Sequence, residues 1–122
     1  MSVMMAASAV AFPALQSKGH MPMLVYGTAW KKDRTADLVV RAVRSGFRAI
    51  DTACQPKHYD EPAVGEALAA LADEGIGRAE LWVQTKYTPY TGQDPARVPY
   101  DAHAPLEAQV DASVRASLSN LR

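Results

Sequence analysis

Three side chains in this sequence have the types needed to move a proton together: Asp51, Tyr59 and Lys86. Asp51 ends the apolar run Phe47-Arg-Ala-Ile-Asp51. Tyr59 stands after a polar loop and just before a new helix. Lys86 ends a second apolar run, Leu81-Trp-Val-Gln-Thr-Lys86. A tyrosine with an ordinary pKa near ~10 is a poor proton donor at neutral pH and needs a cation beside it. A lysine supplies that cation, and an aspartate keeps the lysine charged. If the two runs are neighbouring strands, their carboxyl ends deliver all three groups to one place. Taken singly, each residue also has a plainer role open to it: Asp51 capping a turn, Tyr59 anchoring a helix start, Lys86 solvated at a strand end.

The elements that must position these groups read as a repeating unit. Residues 11–24 suggest a hairpin, Ala11–Gln16 and Met21–Leu24 around a Ser17-Lys18-Gly19-His20 turn, with Pro22 on an edge. Leu24–Gly27 reads as a short strand, followed by the loop Gly27-Thr28-Ala29-Trp30. Thr35 is placed to cap a helix over Ala36–Ser45, whose Leu38, Val39, Ala42 and Val43 share a face; Gly46 ends it. After the Phe47–Asp51 strand, Asp60 caps a helix that tolerates Pro62 in its first turn. Val64, Leu68, Leu71 and Ala72 form its apolar stripe, and Gly75 and Gly77 end it. The third strand, Leu81–Thr85, is followed by a long polar segment, Tyr87–Pro105, of the kind often tied to function. Pro105 opens a last helix with Leu106, Val110, Val114, Leu118 and Leu121 along one side. Three strands that each lead into a helix predict right-handed crossovers and a parallel α/β sheet. No Gly-x-Gly-x-x-Gly follows any strand, which removes support for a dinucleotide-binding doubly wound fold.

Composition narrows the function classes. Lys+Arg and Asp+Glu balance at 13 each over 122 residues, so no electrostatic argument favours nucleic acid or an acidic membrane as partner. No stretch approaches the ~20 apolar residues that span a bilayer. Cys54 is alone, which favours a reducing, cytoplasmic setting over a disulfide framework. The first ten residues read as a flexible tail, because they lack the basic start of a secretory signal. His20, His58 and His103 are too widely spaced for a metal site and read as turn or exposed loop residues. Trp30 and Trp82 read first as packing residues, Trp30 being the better pocket candidate.

Five segments in order resemble the aldo-keto reductase family: Met21-Pro-Met-Leu-Val-Tyr-Gly-Thr-Ala-Trp30, Gly46-Phe-Arg-Ala-Ile-Asp-Thr-Ala53, Tyr59-Asp-Glu61, Val64-Gly-Glu-Ala-Leu68 and Gly75-Ile-Gly-Arg-Ala-Glu-Leu-Trp-Val-Gln-Thr-Lys86. Gln93-Asp-Pro-Ala-Arg-Val-Pro-Tyr100 looks like a loop of a fungal and algal branch. The resemblance implies a (β/α)₈ TIM barrel closed below by a hairpin, with residues 11–122 forming its N-terminal part. It implies NADPH as cofactor and small aldehydes or ketones as substrates, without metal. Tyr59 would be the general acid, Lys86 its cationic partner and Asp51 the partner of Lys86. Gly27, Thr28 and Asp51 would lie near the nicotinamide, and Trp30 would line the substrate pocket. The Thr52–His58 loop is longer than the family's usual one. An eight-unit barrel takes about 250 residues. The family's catalytic histidine and most groups that hold the cofactor's adenine, its phosphate and the pyrophosphate are therefore expected beyond Arg122, and this chain alone is not expected to bind NADPH tightly. The rival expectation is a non-catalytic interaction module that associates through open sheet edges.

Overall fold

Three short strands lie parallel in the order β1 (Tyr26–Gly27), β2 (Ala49–Asp51), β3 (Trp82–Gln84). They belong to a computed structural model that describes residues 20–122. Helix α1 (Thr35–Arg44) follows β1, α2 (Glu61–Asp73) follows β2, and α3 (Leu106–Leu121) follows β3. The architecture is α/β, with successive strand–helix units. The register aligns Gly27 with Asp51 and Asp51 with Gln84, so the strands finish on one row.

Strand alternation decides which side is covered. Ile50 is fully buried, and Tyr26 and Val83 pack against the same core of Val39, Val43, Val64, Ala67, Leu68, Leu71 and Leu81. Trp82 and Gln84, one position out of phase with Val83, are exposed, as the period of two requires. Helix α2 follows its sequence signals. The Asp60 carboxylate accepts the Ala63 N–H at 3.0 Å, Pro62 sits in the first turn, and Gly75 leaves the helix at φ +97°. Gly46 ends α1 in the same way at φ +116°. Both values lie in the left-handed region, where an added Cβ is strained.

Several expectations change. Much of the hairpin over 11–24 lies outside the described residues, and Met21–Leu24 within them forms no strand; Pro22 has no N–H to give a ladder. Thr35 opens α1 rather than capping it, and its hydroxyl donates to the Lys32 carbonyl of a preceding 3₁₀ turn, Lys32–Arg34. Gly77 starts the 3₁₀ turn Arg78–Glu80, its N–H bonded to the Glu80 carboxylate. Ala72 is exposed, while Ala67 is buried in its stead. The largest change is in α3. Leu106, Val110, Val114 and Leu118 face solvent, and Ser113 and Ser117 are the buried residues.

Candidate active site

The row at the strand ends brings Asp51 and Lys86 together. The Lys86 Nζ lies 2.8 and 2.9 Å from the two Asp51 carboxylate oxygens and donates to the Thr52 carbonyl at 2.7 Å. Gln84 Nε2 donates to Asp51 Oδ1 at 2.7 Å. The backbone fixes this pairing from both sides: Thr52 N–H bonds to Gln84 O at 2.8 Å and Cys54 N–H to Lys86 O at 3.0 Å. Tyr59 completes the group, its ring centroid 5.3 Å from the Lys86 ammonium, within cation–π range. The three residues singled out by type therefore meet, although they are spread over 35 positions.

Tyr59 reaches this position across a loop that one glutamine closes. Gln55 accepts the His58 N–H through both its side-chain and backbone oxygens, at 2.8 and 3.2 Å, and its carbonyl also accepts the Tyr59 N–H at 3.1 Å. Its Nε2 donates to Gly92 O at 2.9 Å, in the 3₁₀ turn Tyr90–Gly92. Gln93, nearly fully buried, donates to Cys54 O at 3.0 Å. The long polar segment after β3 thus clasps the loop that carries Tyr59.

The chain is 42% identical over 80 residues to an aldo-keto reductase of Mycobacterium avium (strain 104), covering 65% of this chain and 26% of that protein. It is 46% identical over 74 residues to an aldo-keto reductase of Mycobacterium ulcerans (strain Agy99), covering 60% and 24%. A third, from Mycobacterium marinum (strain ATCC BAA-535 / M), is 45% identical over 74 residues, covering 60% and 25%. The chain belongs to the aldo-keto reductase family. It spans about a quarter of the length of these oxidoreductase relatives. It matches no protein-family model.

Within this aldo-keto reductase segment, Trp30 and His58 build one wall. Their rings stack at 4.0 Å between centroids. Trp30 adopts φ +63°, a region that bulky residues rarely enter. Its N–H bond to the His58 carbonyl, 2.8 Å, holds it there. His58 is therefore not the free loop residue its sequence suggested; it is half-buried against an indole that is itself two-thirds exposed. A groove of about 700 Å³ runs beside this wall, bordered by Trp30, His58, Tyr59, Arg97 and Pro99.

The two residues before Asp51 that were expected near a nicotinamide offer different surfaces. Gly27 is exposed, and a Cβ built there meets nothing within 4 Å, so a flat ring can approach the backbone beside Asp51. Thr28 is fully buried and its hydroxyl is already given to the Asp51 carbonyl at 2.8 Å. It shapes the strand end rather than offering a free donor. Cys54 is buried, and burial pushes its thiol above the ordinary value, so it is a packing residue rather than a reactive one.

Sequence reasoning missed Gln55, Gln93, Gln84 and the buried carboxylate of Glu61. Glu61 was quoted in the Tyr59-Asp-Glu61 segment, yet nothing local set it apart from an ordinary first-turn acid. Its contacts come from residues 24 to 59 positions away.

Proposed function

We propose that this chain carries the proton-donating part of an NADPH-dependent carbonyl reductase, built as the N-terminal part of a (β/α)₈ barrel. The observation that carries the reading is the Lys86 ammonium held between the Asp51 carboxylate and the Tyr59 ring. A small aldehyde or ketone would lie in the groove against Trp30, with its carbonyl oxygen at the Tyr59 hydroxyl. When bound, the cofactor supplies a hydride to the carbonyl carbon. Gly27 and Asp51 would border its nicotinamide end, with Thr28 supporting them from beneath. Tyr59 gives its proton to the oxygen, and negative charge builds on the phenol as it does so. The nearby ammonium stabilises that charge, and Asp51 holds the ammonium in place by charge-assisted hydrogen bonds. The test is Tyr59→Phe in a protein of the relatives' full length, assayed for reduction of a small aldehyde. The expected fall in kcat is roughly 10²–10⁴-fold, the usual range for a general acid. Unchanged turnover would remove Tyr59 from the role.

A second reading, association through uncovered surface, is favoured by the solvent-facing stripe Leu106, Val110, Val114 and Leu118. Contiguous exposed apolar residues are typical of interaction surfaces. Sedimentation of the 122-residue chain is expected to show concentration-dependent self-association that Leu118→Glu weakens. A monomer at all concentrations would end this reading. Among the described residues no helix is long and apolar enough to cross a membrane.

A further inference from the structure

Glu61 is a carboxylate in a place where burial is nearly complete, at 3% exposure. Burying a charge is costly unless hydrogen bonds replace the water it loses. Here the replacement comes from side chains only. Ser117 Oγ lies 3.0 Å from both carboxylate oxygens, Asn120 Nδ2 donates at 3.1 Å, and the Thr85 hydroxyl donates to Oε2. No cation pairs with it among the described residues.

Chain position gives these bonds a meaning beyond satisfaction. Glu61 comes two residues after Tyr59, and Thr85 immediately precedes Lys86. Lys86 is fixed independently by Asp51 and the Thr52 carbonyl. Tyr59 is not: its hydroxyl has no hydrogen-bond partner among the described residues. Its backbone is held on one side by the Gln55 carbonyl. On the other side, Glu61 to Thr85 is the only side-chain hydrogen bond from its segment to the Lys86 strand among the described residues.

We propose that Glu61 and Thr85 act as a positioning pair that sets the Tyr59 ring against the Lys86 ammonium, with Ser117 and Asn120 of α3 bracing the carboxylate from behind. An apolar residue at position 61 would fill the same volume, but it would leave the sliding of α2 relative to β3 unspecified. A carboxylate with several directed donors fixes that offset, because a small slip breaks several bonds at once. The functional weight of the pair rests on the proton-donor reading of Tyr59, whereas the geometric tie does not.

The test uses the 122-residue chain and proton NMR. A lysine side chain held over a tyrosine ring has its ε-methylene protons shifted upfield by the ring current, so Lys86 should stand apart from the other lysines. Thr85→Val keeps the side-chain volume and removes the hydroxyl, while Glu61 retains its bonds from Ser117 and Asn120. The expected result is loss of most of the upfield displacement in Thr85→Val, with Thr85→Ser keeping it. Should Thr85→Val not fold, Thr85→Ala offers the same hydroxyl-free comparison at smaller volume. A Lys86 signal unmoved by removal of the hydroxyl, or lost equally in Thr85→Ser, would overturn the proposal. Tyr59→Phe keeps the ring and hence the signal. Undiminished turnover of Tyr59→Phe in a protein of the relatives' full length would therefore retire the reductase reading, while the Thr85 comparison in the 122-residue chain still decides the tie.

Discussion

Helices α2 and α3 cross each other, yet they bury opposite kinds of surface. Helix α2 turns Val64, Ala67, Leu68 and Leu71 into the core; α3 turns Ser113 and Ser117 inward and leaves most of its apolar stripe in solvent. The reason lies at the head of α2. A buried carboxylate without partners costs several kcal/mol, and the face of α3 that offers hydroxyls and an amide is the one that supplies those partners. Backbone proximity adds to this. A Cβ on Gly65 would stand 2.0 Å from the Asn120 carbonyl oxygen, an approach that leaves no room for a leucine-sized layer. The contrast teaches that a helix's own stripe states what it can bury, while the neighbour's chemistry decides what it does bury.

The sharpest way to break this comparison is to truncate one leucine on each helix. Leu71→Ala is expected to cost about 2–5 kcal/mol in urea unfolding, whereas Leu118→Ala should change stability by no more than about 0.5 kcal/mol. Equal losses would mean that the α3 stripe is packed in solution. Next in size is Gly65→Ala, which forces the two helices apart at a cost of about 1–3 kcal/mol or more. Hydrogen exchange should then show protection lost over Asp111–Leu121 while α1 keeps its own; retained α3 protection would contradict the close crossing. The smallest effect concerns the segment leading into α3. Tyr100 is buried and donates to the Thr88 carbonyl at 2.7 Å. Burial, with neighbouring Tyr87 adding to it, pushes its pKa up to about 12. Above about pH 10 the unfolded chain gives up this proton before the folded chain does. Stability present below pH 10 is therefore lost as pH rises through 12. Melting temperatures across that range should fall more steeply for the wild type than for Tyr100→Phe, and parallel slopes would rule Tyr100 out as the cause.

Much of the site was legible because its signals are local. An apolar run that stops at Asp51, another that stops at Lys86, and a helix start just after Tyr59 set two groups at strand ends and the third on the loop that follows the first of them. The helix ends at Gly46 and Gly75 were legible for the same reason, since a left-handed exit favours glycine whatever lies around it. The orientation of α3 was not legible from its own periodicity, because it depends on a carboxylate 56 residues earlier in the chain. Gln55 and Gln93 were equally silent. A glutamine in a polar loop looks the same whether it faces water or replaces a turn's worth of backbone hydrogen bonds. The contacts of His58 with Trp30 also needed the fold, since they join the loops after two different strands.

The loop closed by Gln55 has a mechanical consequence. Because one side chain gathers the amide of His58 and reaches across to Gly92, while its own carbonyl receives Tyr59, the segment before the tyrosine carries its own anchorage. The Gln55 carbonyl receives the amides three and four residues further on, so a residue gained or lost between Pro56 and Lys57 would break this turn and shift Tyr59. The length of this loop is thereby tied both to the place of Tyr59 beside Lys86 and to the wall that His58 builds with Trp30.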